Sequence, residues 1–406
     1  MNRRVLILGP TGVEKSAALS ILKSYSHLQP CSPQILTIDF EKDFILTVNR
    51  VSFHTYLDSD KKTQREYWYN AWNTFAESHL NASENRNSTL CLSLHAVLTR
   101  PLYGTRSPLN FQSLLEFCPI IVITLIDDIY SMYHRTEARA AGFTYRGRPN
   151  LEQLLDARRS EIFLGDFIAS HIKPPAEHYV LAIQHPVRTL FRLLFGQNLR
   201  RIYLSFPITG PRELLQQGDH SGIQEVNSFL RVAYDFESRC PQTALFCPLG
   251  IDEFPLLNTI EACDSEEIDF PMNMRWKVQD YCREQLLVKN LPSSIRLSRD
   301  QIVRSSGLIR ADVALRDYRL VQQSHFLAVF NPWFNGKLSK GVRNEIRLAI
   351  RHTIPVHIFQ DRKHDPNCEA VKTLKEGPGS LGDEPGSEYV SFHSDITSLF
   401  ETILNT

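Results

Sequence analysis

The sequence predicts an α/β protein of two domains, residues 1–195 and 200–406, each a mainly parallel sheet flanked by helices. Short apolar runs alternate with stretches of helical periodicity, the pattern of parallel strands joined by helical crossovers. The pattern ends near residue 195 and restarts at Arg201. The length of 406 residues suits two or three domains at about 100–200 residues each.

The elements follow in order. Residues 5–8 form a first strand. Residues 15–25 form a helix with Ala18, Leu19 and Leu22 at helical spacing. Residues 35–38 form a second strand ending at Asp39, residues 60–80 a polar and aromatic helix, and residues 89–94 a third strand. Residues 119–125, PIIVITL, are apolar as a strand covered on both faces should be. Residues 179–183 form a fifth. Between the last two lies a polar segment, 136–170, bearing Arg139, Arg146, Arg148, Arg158 and Arg159; Gly142, Gly147 and Pro149 break any helix near its start. In the second half, strands are expected at 202–206, 244–247, 325–330, 356–359 and 389–392. Helices are expected at 223–238, 342–352 and 396–404. Residues 262–300 read as irregular, and 376–388 as a flexible Gly/Pro/Ser loop.

Hydrophobic residues make up 42%, enough for real cores. Lys+Arg and Asp+Glu are equal at 45 each, so no global field favours nucleic acid or an anionic membrane. The eight cysteines form no CxxC pair and no zinc-ligand spacing, and read as reduced, buried thiols. The basic N-terminus precedes only four apolar residues, against about seven or more for a secretion signal. No run approaches the roughly 18 apolar residues of a membrane span. A cytoplasmic protein without a membrane partner is expected.

The first motif is Gly9-Pro10-Thr11-Gly12-Val13-Glu14-Lys15-Ser16, between a strand and a helix. Glycines let backbone N–H groups turn inward around phosphate oxygens. A lysine meets the β/γ-phosphates, a hydroxyl meets Mg²⁺, and the helix points its positive end at the anion. Residues 1–195 resemble P-loop nucleotide and nucleoside kinases, specifically only at this loop. The resemblance implies ATP or GTP held by Gly9, Thr11, Gly12, Lys15 and Ser16, with Ser16 on Mg²⁺, and the Arg-bearing segment in the place of a phosphate-clamping lid. Glu14 stands where the family carries glycine, with the wrong charge for a phosphate neighbour. By position, Asp39 is a cleft residue or a helix cap, His95 a cleft residue or a satisfied buried histidine, and Asp127-Asp128 a solvated strand-end pair.

The second motif set opens with Tyr203-Leu204-Ser205-Phe206-Pro207. It continues with Arg316-Asp317-Tyr318, the strand HFLAVFNP that ends at Asn331-Pro332, and Ser339-Lys340-Gly341-Val342-Arg343-Asn344-Glu345. Residues 200–405 resemble the nucleoside 2-deoxyribosyltransferase superfamily, whose Ser-x-Gly-Val-x-x-Glu segment deoxynucleoside monophosphate N-glycosidases share. The resemblance implies catalytic Glu345 and Asp317, a Rossmann-like sheet, and a substrate pocket containing Tyr203, Ser205, Pro207, Asn331, Ser339 and Gly341. Ser324-His325 replaces a family aspartate. The alternatives are an exposed helical carboxylate for Glu345 and a helix N-cap for Asp317.

The resemblance further implies cleavage or transfer of the N-glycosidic bond of a nucleotide or nucleoside, without a cofactor, in a homo-oligomer. The first domain would then be a nucleotide sensor or regulator, as in bacterial antiviral and toxin effectors. The other readings are a salvage kinase fused to a glycosidase, an NAD glycohydrolase, and a non-enzymatic nucleotide-binding scaffold.

Overall fold

The computed structural model describes residues 3–29, 34–80, 88–100, 104–140, 149–262, 265–271, 276, 281–282, 286–287, 293–364 and 387–406. Two parallel sheets of five strands, each flanked by helices, dominate them.

The first sheet comprises β1 (Arg3–Leu8), β2 (Gln34–Asp39), β3 (Ser88–Ser93), β4 (Ile121–Ile126) and β5 (Glu177–Ala182), in the order β2-β3-β1-β4-β5. Every residue of β4 is buried, which explains why all but Thr124 are apolar; the Thr124 hydroxyl pairs with His178 Nε2 at 2.9 Å. Around the sheet lie α1 (Lys15–His27), α2 (Lys61–Phe75), α3 (Ile129–Ala140) and α4 (Leu151–His171). Asp60 caps α2 by accepting from the Lys62 and Thr63 amides. The helix then buries Trp68, Trp72 and Phe75 around Phe40, with ring centroids 4.8, 5.8 and 5.9 Å away.

The polar segment at 136–170 holds the end of α3 and, from Leu151, nearly all of α4. Asn150 and Gln153 form a reciprocal capping box, and the 21-residue α4 follows directly. Pro149 lies between α3 and α4, and Leu151, Leu154, Leu155 and Ile168 bury one face of α4. Arg146 and Arg148 lie outside the described residues.

The second sheet comprises β6 (Arg200–Ser205), β7 (Thr243–Phe246), β8 (Phe326–Phe330), β9 (Val356–Phe359) and β10 (Val390–His393), in the order β10-β9-β8-β6-β7. Numbered within the sheet this is 2-1-3-4-5, so connections leave the adjacent first and third strands, β6 and β8, in opposite directions. A crevice opens at such a point beyond the strands' carboxyl ends. Its helices include α5 (Ser221–Arg239), the part of α6 (Arg299–Gln322) from Ala311 on, α7 (Lys340–Arg351) and α8 (Ile396–Asn405). Phe229 of α5 stacks on Phe330 with centroids 4.6 Å apart, and α7 buries Val342, Ile346, Ala349 and Ile350.

Residues 262–300, expected to be irregular, contain an antiparallel pair, Glu267–Pro271 with Ser294–Ser298. Ile268, Phe270, Ile295 and Leu297 alternate inward with polar neighbours outward. Most of the expected loop at 376–388 lies outside the described residues; Ser387–Tyr389 forms a 3₁₀ turn.

The chain forms two compact units. One holds Met1–Leu194, Ile251–Arg275 and Gln285–Arg310; the other holds Phe195–Gly250, Trp276–Glu284 and Ala311–Thr406. A division by chain order alone would leave residues 251–275 with the second half. Polar and aromatic contacts join that segment to the first unit instead. Arg158 forks onto Glu253 at 2.7 and 3.1 Å, Tyr130 donates to the Asp252 carbonyl at 2.5 Å, and the Tyr130 and Phe270 rings lie 5.1 Å apart. Among the described residues, no helix is long and apolar enough to cross a membrane. Cys91 and Cys247 are buried, and burial pushes both thiols up to about 12, which keeps them unreactive.

Candidate functional site

In the first unit, the loop after β1 is held by unusual backbone angles. Gly9 has φ 154° and Gly12 φ 90°. A Cβ on either would lie 2.6 Å from the Leu125 carbonyl oxygen or 2.9 Å from that of Met132. Glu14 adopts a left-handed conformation, φ 63° and ψ 40°, immediately before α1. A non-glycine residue pays about 1–2 kcal/mol there, so the substitution costs conformational energy as well as charge.

Lys15 is buried and donates to the Gly9 carbonyl at 2.6 Å. The Gly9 amide donates to Glu161 of α4 at 3.2 Å, and Glu161 also accepts from the Ala96 and Val97 amides at 3.1 and 3.0 Å. Burial raises the Glu161 pKa against the opposing charges of Lys15 and His95. A buried carboxylate thus occupies part of the loop's own donor set. Burial also pushes Glu41 up, but the charge and hydrogen bonds of His95 and the charge of Lys15 outweigh it and hold Glu41 low. His95 donates its amide to Glu41 at 2.6 Å and places Nδ1 3.2 Å from the same oxygen. Ser16 donates to Asp39 at 2.5 Å, which brings the motif hydroxyl to the carboxylate at the end of β2. Thr11 is partly exposed in the loop.

One expectation for this unit is corrected. Asp127 and Asp128 are fully buried, not solvated. Gln184 donates to both at 2.9 Å, Arg135 pairs with Asp127, and the Asp252 amide donates to Asp128 at 2.6 Å. Arg158 is committed to Glu253 and the Asp127 carbonyl, and Arg159 donates to the Leu308 carbonyl. Among the described residues, no group of three or more His, Cys, Asp or Glu could hold a metal ion.

In the second unit, Glu345 lies one turn into α7 and is buried. Tyr203 donates to one carboxylate oxygen at 2.9 Å and Ser205 to the other at 2.5 Å. Both donors stand on β6 two residues apart, so strand alternation brings them to the same face. Burial, then the charge of Asp317, raises the Glu345 pKa to about 8 against the two donated bonds and the charge of Arg316. Asp317 is buried inside α6 instead of at its N-cap, and accepts from Arg316 at 2.8 and 3.0 Å. Burial, followed by the charges of Asp317 and Glu345, raises Tyr203 well above the ordinary phenol range, so it remains a donor.

Asn331 directly follows β8, has φ 45° and is fully buried. Pro207 is buried at the end of β6. Ser339 is the N-cap residue of α7, but its side chain makes no capping bond. Gly341 is exposed in the first turn, and a Cβ there would meet open space. Of the residues suggested by sequence, Tyr203, Ser205 and Glu345 form one hydrogen-bonded group. Glu161, Glu41, Arg135 and Gln184 were not anticipated; Glu161 lies 152 positions from the glycine whose amide it accepts, and no short-range signal marks such a pair.

No family model matches the chain, and no curated protein matches it. A solved sugar kinase from Janibacter sp. HTCC2649 aligns at 15% identity over 48% of this chain and 92% of its own. Its TM-score of 0.26 is too low to carry an argument.

Proposed function

We propose that the second unit cleaves or transfers the N-glycosidic bond of a nucleotide or nucleoside, with Glu345 as the carboxylate that meets the anomeric carbon. The observation that carries this reading is the buried Glu345, held through both oxygens by Tyr203 and Ser205 of β6, a strand at the point where the sheet order reverses. Loss of the base leaves positive charge at the anomeric carbon. A fixed, water-shielded carboxylate stabilises that charge, or attacks to form a glycosyl–enzyme while the C–N electron pair leaves with the base. Ser339 and the first amides of α7 suit a substrate hydroxyl or 5′-phosphate. The test is base release, read by chromatography, from deoxynucleotides, nucleosides and NAD. Absence of release from every compound sinks the reading.

The ionisation of Glu345 supplies a second check. As a nucleophile or charge stabiliser it acts as the anion. The rate constant kcat/KM is therefore expected to rise with pH through about 8. Asp317 raises the Glu345 pKa, so Asp317→Asn should move that rise to lower pH. A profile that falls across the same range contradicts an anionic role.

For the first unit, the reading is ATP or GTP binding as a sensor or regulator, with Mg²⁺ at Ser16. Coupled to nucleotide cleavage, this has the logic of an antiviral or toxin effector. Glu14 and the internal engagement of Lys15 weigh against phosphoryl transfer. Calorimetry is expected to show Lys15→Ala weakening nucleotide binding by about 1.5–3 kcal/mol, the scale of a hydrogen bond to a charged group. Glu14→Gly should strengthen it. Wild-type protein that binds neither nucleotide at millimolar concentration makes the loop a structural turn.

A further inference from the structure

We propose that Ser205 is a positioning residue for the reaction at Glu345: its hydroxyl acts through the carboxylate, fixing the plane of the two oxygens, and not on the substrate. The inference rests on reading Glu345 as the carboxylate that meets the anomeric carbon.

The first observation is where the Ser205 proton goes. Ser205 is the last residue of β6, and pairing with Val329 of β8 fixes its backbone. A serine hydroxyl carries one proton. Ser205 spends it on Glu345 Oε2 at 2.5 Å, so none remains for a sugar hydroxyl or a phosphate. Ser205 is also 0% exposed, while Glu345 keeps 8%, which makes the carboxylate the more accessible of the two.

The second observation is that the donors come as a pair. The last torsion of a glutamate side chain is broad and two-fold, so a carboxylate held at one oxygen still rocks about that bond. Tyr203 alone would leave Glu345 in that condition, since it reaches only Oε1, at 2.9 Å. The Ser205 bond to the other oxygen closes the second point of support. Both donors stand on the same face of one central strand, a rigid base for an attacking or charge-stabilising group. Misplacing a reacting group by about 1 Å can cost on the order of a hundredfold in rate.

The electrostatics agree. Glu345 on α7 is met by Tyr203 and Ser205 from β6 and feels the charges of Asp317 and Arg316 from α6. Burial and then Asp317 push its pKa up to about 8; among the opposing effects the Ser205 bond is the largest, ahead of Tyr203 and Arg316. A hydrogen bond donated to the charged form favours that form. Losing it therefore raises the Glu345 pKa further and leaves less of the anion at neutral pH.

Ser205→Ala isolates the role, because it removes one oxygen and adds nothing to the buried strand. Base release is measured across pH for wild type and variant on the best substrate. The variant is expected to lose about tenfold or more in kcat, with KM within about threefold of wild type. Its rise of kcat/KM with pH should move upward from about 8 by roughly half a unit or more. Carbon-13 NMR of glutamate-labelled protein, with Glu345→Gln identifying the signal, reads the same ionisation without substrate and should show the same upward move. A tenfold or greater rise in KM with kcat unchanged would make Ser205 a substrate contact and overturn the proposal. So would a kcat within about twofold of wild type together with an unmoved Glu345 titration. Absence of base release by wild-type protein from the whole panel removes the glycosidase reading and this role with it. Release by wild type with no effect of Ser205→Ala removes the role alone.

Discussion

Glu345→Gln is expected to cut base release by at least about a thousandfold while leaving substrate affinity nearly intact. The glutamine keeps the volume; its one carbonyl oxygen can accept from Tyr203 or Ser205, which now hold the two carboxylate oxygens at 2.9 and 2.5 Å, while its NH₂ end must donate to the other hydroxyl. It removes the negative charge. An interaction made mainly in the transition state lowers kcat without raising KM, and electrostatic stabilisation of developing charge is commonly the largest single contribution to catalysis. The measurement is single-substrate turnover by chromatography, wild type against variant, with binding followed by calorimetry. If the carboxylate attacks directly, azide added to Glu345→Ala should recover part of the cleavage as a glycosyl azide. Turnover of Glu345→Gln within tenfold of wild type would remove the main support for the glycosidase reading.

Glu253→Ala is expected to destabilise the first unit by about 3–5 kcal/mol, because it leaves a buried guanidinium without its counter-charge. Arg158 and Glu253 are respectively 1% and 0% exposed, a burial that removes solvent screening of the loss. Glu253 also accepts from the Ile129 amide at 2.8 Å, so a buried backbone donor loses its partner too. The check is chemical denaturation of Glu253→Ala against wild type. Replacing both partners, as in Arg158→Met with Glu253→Leu, should recover much of the loss, since no unpaired charge remains. A loss below about 1 kcal/mol for the single variant would show that water or another group satisfies Arg158.

The sequence by itself determined the strands and the motif-bearing turns. The apolar run at 119–125 became most of β4, whose six residues are all buried, because burial on both faces favours apolar side chains on both. The restart at Arg201 became a second sheet, because strand and helix periodicities are local properties of the chain. The turn Gly9–Ser16 was legible for the same reason, including the awkward position of Glu14, whose left-handed backbone is what glycine would adopt without strain.

Only the tertiary structure decided what these parts meet. Glu161 reaches the Gly9 amide, Arg158 finds Glu253 95 positions away, and Tyr203 finds Glu345 across 142 positions. Residues 251–275 join the first unit although the chain has already begun the second. The raised pKa of Glu345 likewise comes from burial and from Asp317 on another helix. Charge pairing and desolvation depend on distance in space, and no local pattern of residue types encodes which distant segments the fold brings together.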